Sequence, residues 1–236
     1  MTDDRDYIID DLNRLMVRIG ANERWYEQEW LGVPIWQLPG DLVRLQQVVH
    51  HVRPQWIVET GTKFGGSAIF FASLLALAGR SEDDGGVITA DLFPTETATR
   101  TFAEHPLRGR VKAFIHGDAA ADETIARVRD MVAGATGPIL VILDDNHNAD
   151  HVSREIAGYG PLVTTGSYLI VADTVFEDLA GTPVGRPTEK YPDVARSNPR
   201  RAVDAFLGQT TSFERDRRFV GRGPGNFNDG FLLKVS

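Results

Sequence analysis

The most polar cluster of the sequence, Asp144-Asp145-Asn146-His147-Asn148, directly follows its strongest aliphatic run, Ile139–Leu143. A histidine with an ordinary pKa of about 6.5 can accept a proton at neutral pH, so His147 is a candidate general base. The alternative is that Asp145 or Asn146 caps a helix and that His147 is merely exposed. The other five histidines lack such a setting: His50, His51, His105, His116 and His151.

A second carboxylate, Asp173, follows the apolar run Tyr168–Val171. If the two apolar runs are neighbouring strands, their ends bring Asp144 close to Asp173. Two bare carboxylates at close range repel each other unless they share a proton or a cation. Because oxygen ligands of this kind suit Mg²⁺, Mn²⁺ or Ca²⁺, the pair is a candidate site for a divalent cation.

A glycine-rich turn, Glu59-Thr60-Gly61-Thr62-Lys63-Phe64-Gly65-Gly66-Ser67, follows an earlier strand-like run. Gly61 permits a sharp turn, and Gly65-Gly66 would let a ligand approach the backbone. The dinucleotide fingerprint requires glycine where this turn has Lys63, so a pyrophosphate is not the favoured ligand. Glu59 suits a cationic ligand better. The alternative is a tight strand–helix turn without a ligand.

Two more aspartates occupy the ends of strand-like runs. Asp91 can accept two hydrogen bonds from ribose hydroxyls, and Asp118 is placed to meet the exocyclic amine of adenine. Taken singly, each aspartate also fits a solvated loop or a helix cap. Taken together and in this order, they indicate a nucleoside site.

The elements that position these residues alternate between strand and helix from about residue 55 to 175. Unbroken aliphatic runs are typical of strands buried on both faces. Five such alternations predict an α/β fold with a doubly wound, Rossmann-like, mostly parallel sheet. In such a sheet, ligands bind beyond the carboxyl ends of the strands. The expected strands are 56–58, 87–90, 111–115, 139–143 and 168–171, and the expected helices are 66–78, 95–104, 122–132 and 151–159.

Further segments flank this alternation. Residues 1–54 are expected to form an N-terminal helical preface, with Asp41 as the N-cap of its second helix. The four tryptophans all precede position 57, and they pack either on the main domain or on another subunit. Residues 55–236 are expected to form the main domain, with a lid loop at about 177–199. A helix at 199–207 and strands at 213–217 and 231–235 would complete it with an antiparallel edge.

Composition excludes several classes of protein. The 236 residues include 25 basic and 33 acidic side chains, and this net charge of −8 argues against a nucleic-acid partner. The absence of cysteine excludes disulfides, thiolate catalysis and cysteine-ligated metals. No apolar run is long enough to span a membrane, and the acidic N-terminus is unlike a signal peptide. The expectation is a soluble cytoplasmic protein.

In combination, these motifs resemble class I S-adenosylmethionine-dependent methyltransferases, and more narrowly the cephalosporin hydroxylase/rhamnosyl O-methyltransferase family. The resemblance covers roughly residues 28–235. It implies methyl transfer to a hydroxyl of a sugar or another natural-product scaffold, and a homo-oligomer. The matching stretches are Trp30-Leu31-Gly32-Val33-Pro34, Val58-Glu59-Thr60-Gly61, Gly65-Gly66-Ser67 with 70–75, Leu143-Asp144 through His147, Gly166-Ser167-Tyr168-Leu169-Ile170-Val171, Phe227-Asn228 and Gly230-Phe231-Leu232.

The resemblance also implies a role for each site residue. Asp91 would bind the ribose of S-adenosylmethionine, and Asp118 would lie beside the adenine. His147 would deprotonate the acceptor hydroxyl. Asp144 and Asp173 would bind a divalent cation, expected to be Mg²⁺. The remaining cofactor-binding residues would be Glu59, Gly61, Gly65 and Gly66 around the methionine part, together with Thr62, Lys63, Ser67 and Asp144.

One position departs from the family pattern. Relatives commonly carry a Glu-Asp pair at the end of the fifth strand, where this sequence has Ala172-Asp173. This leaves open whether Asp145, a water or the substrate completes the metal ligands, or whether the metal is weak or absent. Two other functions also stay open: a nucleotide-dependent oxidoreductase on the same fold, and a non-catalytic cofactor-binding protein.

Overall fold

The computed structural model describes residues 11, 14–15, 18, 27–180, 182, 187–219 and 225–236 of the chain. Most of the first helix expected in the 1–54 segment falls outside these residues. Among the described residues, no helix is both long enough and apolar enough to cross a membrane.

The described elements alternate as the sequence predicts. The residues that the structure describes form nine strands: β1 (Glu29–Trp30), β2 (Val33–Pro34), β3 (Trp56–Thr60), β4 (Gly86–Asp91), β5 (Val111–His116), β6 (Ile139–Leu143), β7 (Tyr168–Val171), β8 (Phe213–Arg215) and β9 (Phe231–Lys234). The α-helices are α1 (Pro39–Val52), α2 (Gly66–Leu77), α3 (Glu96–Glu104), α4 (Asp122–Val132), α5 (Ala149–Tyr159), α6 (Phe176–Leu179) and α7 (Pro199–Leu207).

Seven strands form one sheet in the order β5-β4-β3-β6-β7-β9-β8. Strands β3 to β7 run parallel, β9 pairs antiparallel with β7, and β8 pairs antiparallel with β9. The expected α/β fold with an antiparallel C-terminal edge is therefore confirmed. The chain changes winding direction between β3 and β6, and ligands bind beyond the carboxyl ends of the strands at such a switch point.

The aliphatic run in β6 is unbroken because helices cover both faces of the sheet. Leu140 and Ile142 point into one hydrophobic core, which is shared with α1 and α2. Ile139, Val141 and Leu143 point into the other, which is shared with α4, α5 and α7. Since neighbouring residues of a strand face opposite sides, each face of β6 needs its own apolar set.

The hairpin formed by β1 and β2 packs on helix α2. The Trp30 ring lies 4.9 Å from the Phe70 ring in a nearly perpendicular arrangement. Its indole Nε1 donates a hydrogen bond of 3.1 Å to the Ser73 hydroxyl. Of the two packing alternatives for the tryptophans, Trp30 therefore adopts the one on the main domain.

The interpretation of Asp41 as an N-cap is wrong. Helix α1 begins at Pro39 with Leu38 as its N-cap, as suits a proline in the first turn. Asp41 is fully buried instead, 3.5 Å from the Arg44 guanidinium, and it accepts a 2.7 Å hydrogen bond from the backbone N–H of Asn226. A capping rule that considers only neighbouring residues cannot predict a partner as distant in sequence as Asn226.

The expected strand at 213–217 ends early, at Arg215. The next residue, Asp216, turns its carboxylate inward, where it accepts a 2.5 Å hydrogen bond from the Tyr168 hydroxyl. Of the expected lid at 177–199, residues 181 and 183–186 lie outside the described part of the chain. Near its C-terminal end, the buried Asn198 donates to Glu177 Oε2 at 2.8 Å. Closure of this loop over a substrate stays a prediction.

The close fit between the hairpin and α2 predicts that Gly66→Ala destabilises the protein. A Cβ at Gly66 would overlap the carbonyl oxygen of Pro34, so the hairpin would have to shift. We expect the free energy of unfolding to fall by about 1–3 kcal/mol, the usual cost of overpacking, as measured by urea denaturation. Gly134→Ala is the control, because a Cβ at Gly134 has no neighbour within 4 Å. Equal stability of the two variants would contradict this packing.

Candidate functional site

The turn after β3 contacts the turn after β6 directly. Gly61 has a positive φ of 89°, and a Cβ there would overlap the backbone carbonyl of Asp144. The backbone N–H of Asp144 in turn donates to the carbonyl oxygen of Thr60 at 3.1 Å. Both the backbone conformation and the contact with Asp144 therefore require glycine at position 61. The turns that follow β3 and β6 thus form one continuous edge, which we call the rim.

Glu59 is a buried carboxyl group at the base of this rim. Its side chain is 2% exposed and accepts hydrogen bonds from the hydroxyls of Thr89, at 2.9 Å, and of Ser67. Thr62 extends the network, with its hydroxyl 2.6 Å from that of Thr89. Burial raises the pKa of Glu59 to about 7. Burial therefore disfavours the ionised form of Glu59, and a bound cation would stabilise it.

The other residues of the glycine-rich turn contribute differently from the expectation. Gly65 and Gly66 are required by the protein's own packing, because Cβ atoms there would press on the Phe102 ring, at 2.9 Å, and on Pro34. Open ligand space is therefore not what demands glycine at these two positions. The Lys63 ammonium lies over the Trp36 ring, 4.7 Å from its centroid.

Asp91 and Asp118 lie at the ends of neighbouring strands, as expected, and both also hold backbone turns. Asp91 accepts 2.8 Å hydrogen bonds from the N–H groups of Lys63 and Phe93. Asp118 accepts one of 2.9 Å from the N–H of Ala120, and its side chain stays 40% exposed. A carboxylate offers about four acceptor positions, so these turn contacts leave room for a ligand hydroxyl or amine.

Asp144 is partly buried and lies among other carboxyl groups. Burial, with the nearby charges of Asp173 and Glu59, holds its pKa well above the ordinary range. One of its oxygens accepts a 2.5 Å hydrogen bond from the Gln37 amide. Sequence reasoning missed Gln37, since nothing in the stretch before α1 marks a residue aimed at the far end of β6.

His147 is held by Asp173 and by two aromatic rings. Its Nε2 lies 2.6 Å from Asp173 Oδ2, and its ring stacks on Tyr191, at 4.3 Å, and lies tilted beside Phe176, at 4.6 Å. Its Nδ1 is buried and has no hydrogen-bond partner within the described chain. Asp173 itself adopts a left-handed backbone with φ of 56°, which is uncommon for a non-glycine residue and typical of functional sites.

The two rings beside His147 were also missed from the sequence. Both lie in or next to the expected lid, and aromatic residues within that proline-rich segment were the available signal. Burial, together with the charges of Asp173 and Asp145, raises the pKa of the Tyr191 hydroxyl. Tyr191 is therefore a neutral, apolar cover for the imidazole.

The expectation that His151 lacks a polar setting is wrong. Its Nε2 lies 3.1 Å from Asp145 Oδ2, 3.8 Å from Glu155 Oε2 and 3.8 Å from Asp118 Oδ1. Burial and the charge of Asp145 hold the pKa of Glu155 well above its ordinary value. His151 and Glu155 are one helical turn apart on α5, a spacing that a search of strand ends alone does not detect.

The capping alternative for the cluster after β6 is also settled. Helix α5 has Asn148 at its N-cap, and Asp145 turns towards His151 instead of the helix end. Asn146 stabilises the turn locally, since its side-chain oxygen accepts a 3.0 Å hydrogen bond from the N–H of Asn148.

The rim concentrates carboxyl groups. In the part of the chain that the structure describes, no lysine or arginine forms an ion pair with Glu59, Asp144 or Asp173. A cleft lined by charges of one sign raises the local concentration of oppositely charged ligands. The arrangement can therefore hold a cation beside a histidine that is positioned by a carboxylate.

Comparison with solved structures supports the fold. The chain superposes with a TM-score of 0.64 on a structure named "cmcI-D160 Mg-SAM", at 18% identity, over 89% of this chain and 78% of that one. It also resembles the O-methyltransferase TomG from Streptomyces achromogenes, which is involved in tomaymycin synthesis and was solved in complex with SAM. That TM-score is 0.56 at 20% identity, over 83% of this chain and 80% of TomG.

Sequence comparison identifies relatives more directly. A protein named Rhamnosyl O-methyltransferase from Mycobacterium bovis is 28% identical over 167 residues, which are 70% of this chain and 62% of that protein. The chain thus spans less than two thirds of the curated relative that it matches. The family model described as Rhamnosyl O-methyltransferase/CmcI matches residues 22–235. Because this match covers nearly the whole sequence, the chain belongs to the Rhamnosyl O-methyltransferase/CmcI family.

Proposed function

We propose that this chain is an S-adenosylmethionine-dependent O-methyltransferase that acts on a hydroxyl of a sugar, rhamnosyl-like, or of another natural product. The observation that carries the proposal is the position of the His147–Asp173 pair beside the carboxyl group of Asp144, on the rim that Gly61 forms. The names of the relatives support the choice of reaction and of a small-molecule acceptor.

The rim fits a sulfonium nucleoside. S-adenosylmethionine carries positive charge on its sulfur and on its amino group, and the carboxyl groups of Glu59 and Asp144, whose pKa values are raised in the ligand-free chain, would ionise beside it. Asp91 would meet the ribose hydroxyls, and Asp118 the adenine amine. When bound, the cofactor supplies a methyl group that is already activated for transfer. The methionine part would bind along the glycine-rich turn, which contains Gly61, Thr62, Lys63, Gly65, Gly66 and Ser67.

His147 would act as the general base through its Nδ1. The Asp173 carboxylate lies 2.6 Å from Nε2, which favours the tautomer with its proton on Nε2 and would leave the Nδ1 lone pair for the acceptor hydroxyl. As the proton arrives at Nδ1, the Asp173 carboxylate stabilises the resulting imidazolium. Tyr191 and Phe176 shield part of the imidazole from water, which strengthens this electrostatic interaction.

A divalent cation, expected to be Mg²⁺, would bind to Asp144 and Asp173. The two carboxyl groups are close enough to raise the pKa of Asp144, which a shared cation would relieve. A bound cation would supply a Lewis acid that lowers the pKa of the acceptor hydroxyl. Ala172 is buried and offers no side-chain ligand, so this chain holds fewer carboxylates here than its relatives commonly do. The homo-oligomer and the cytoplasmic location stay predictions.

Cofactor binding separates this function from a nucleotide-dependent oxidoreductase. Calorimetry should show one S-adenosylhomocysteine per chain and no binding of NAD. Asp91→Asn should weaken S-adenosylhomocysteine binding by about 10–100-fold, since hydrogen bonds to a charged group contribute about 1.5–3 kcal/mol. Asp130→Asn, an exposed aspartate on α4, is the matched control and should bind like the wild type. Preference for NAD would overturn the assignment.

Replacing the base separates this function from a non-catalytic binding protein. Mass spectrometry of a panel of glycosylated acceptors, with and without a chelator, should show the gain of one methyl group by one of them. His147→Gln should lower turnover by about 10²–10⁴-fold and leave S-adenosylhomocysteine binding unchanged. His50→Gln, an exposed histidine on α1, should leave turnover unchanged. Full turnover by His147→Gln would show that His147 is not the general base. Full turnover in the presence of the chelator would show that the reaction does not need a divalent cation.

The buried Glu59 predicts a pH dependence of stability in the ligand-free protein. Its pKa is about 7 in the folded chain against 4.5 ordinarily, so the folded state holds the proton more tightly. The free energy of unfolding should therefore fall as the pH rises from 4.5 to 7, by up to about 3 kcal/mol from this group. Urea denaturation at pH 5 and pH 8 should show a smaller loss for Glu59→Gln than for the wild type. An identical loss would show that Glu59 does not titrate in this interval.

A further inference from the structure

We propose that Asp145, His151 and Glu155 form a binding site for a transition-metal ion such as Zn²⁺, separate from the pair Asp144–Asp173. This α5 metal site, defined by those three residues, lies where the start of α5 meets the end of β6. It does not depend on the proposed methyl transfer.

The geometry of the three side chains suits one ion. Each offers one ligand atom, and these atoms lie within 4.8 Å of one another. His151 Nε2 is 3.1 Å from Asp145 Oδ2 and 3.8 Å from Glu155 Oε2. Around a tetrahedral Zn²⁺ with bonds of about 2.0–2.1 Å, neighbouring ligand atoms are about 3.3 Å apart. Only small side-chain movements separate the described arrangement from that geometry.

Unsatisfied buried oxygens give an independent reason to expect a ligand. Glu155 is 0% exposed and lies beside His151, yet within the described part of the chain neither of its oxygens makes a hydrogen bond of normal geometry, although Thr60 and Asp145 lie close. Among the same residues, Asp145 Oδ1 is likewise buried without a partner. Buried polar atoms are rarely left unpaired, because their desolvation is costly. A bound cation would satisfy these oxygens together, whereas a proton shared by the two carboxyls would pair only one oxygen of each.

The donor set selects the type of metal. Imidazole nitrogen suits Zn²⁺ and similar ions, whereas Mg²⁺ and Ca²⁺ prefer oxygen. His151 and Glu155 face the ion from one side of α5, and Asp145 faces it from the loop after β6. Three protein ligands leave a fourth position open, near the 40% exposed Asp118. The bound ion would fasten α5 to the loop that also carries His147.

Titration of the whole ligand-free chain with ZnCl₂ in a calorimeter tests the site. The wild type should bind one Zn²⁺ at this site and release protons, since metal ligands must be deprotonated. His151→Gln and the isosteric Glu155→Gln should weaken this binding by about 100-fold or more, because even loss of a residue that only supports a ligand costs about 10–100-fold. His147→Gln and Asp144→Asn are the matched controls in the neighbouring pair and should retain it. Circular dichroism identifies any variant that fails to fold.

Two measurements on the wild type decide the question even if a variant unfolds. The absorption spectrum of the Co²⁺-substituted chain should show a four-coordinate site with a nitrogen ligand. A crystal grown with ZnCl₂ should show an anomalous peak among Asp145, His151 and Glu155. Absence of both signals, or a peak only between Asp144 and Asp173, would overturn the proposal in favour of a shared proton. Neither measurement requires methyl transfer, so failure of the proposed function would leave this test intact.

Discussion

The contact between Gly61 and the backbone of Asp144 is the constraint on which the whole rim depends. It joins the ends of β3 and β6, the two strands at which the sheet changes winding direction. The glycine-rich turn, with Glu59 beneath it, is thereby held against the loop that carries Asp144 and His147. Any side chain at position 61 would separate these two loops, and the charges that face each other across the cleft would lose their relative positions.

Negative charge at the rim is stabilised by neutral neighbours. Glu59 accepts hydrogen bonds from hydroxyl groups, Asp144 accepts one from an amide, and Asp173 lies beside an imidazole. These groups orient the carboxylates without neutralising them, and burial raises the pKa values of Glu59 and Asp144 despite their hydrogen bonds. A lysine or arginine in the same place would stabilise the empty cleft and compete with an incoming cation. The lack of an ion pair between a described lysine or arginine and Glu59, Asp144 or Asp173 is therefore consistent with a binding site.

Much of this arrangement could be predicted from the sequence. The run Ile139–Leu143 and the polar residues after it gave both the strand and its functional end, because strand burial and strand direction are local signals. Gln37, Tyr191 and the inward turn of Asp41 were missed, because each depends on a partner far away in the chain. His151 was misjudged for another reason: its partners lie partly on its own helix face, and strand ends were the only places searched. The alternation of strands and helices predicts where the strand ends form a rim. It does not reveal which side chains from distant parts of the chain reach that rim.

Gln37 gives the segment before α1 a role in the cleft itself. Its amide reaches Asp144, and Pro34 of the same segment lies against the first residue of α2. The boundary at residue 54 therefore marks a change in sequence pattern, but residues on both sides of it line the same cleft. Anyone who transplants residues 55–236 into a chimera, or trims the chain to this part, must carry residues 29–38 along with it. Without them, the Asp144 carboxyl group would be exposed on the side that the amide now covers.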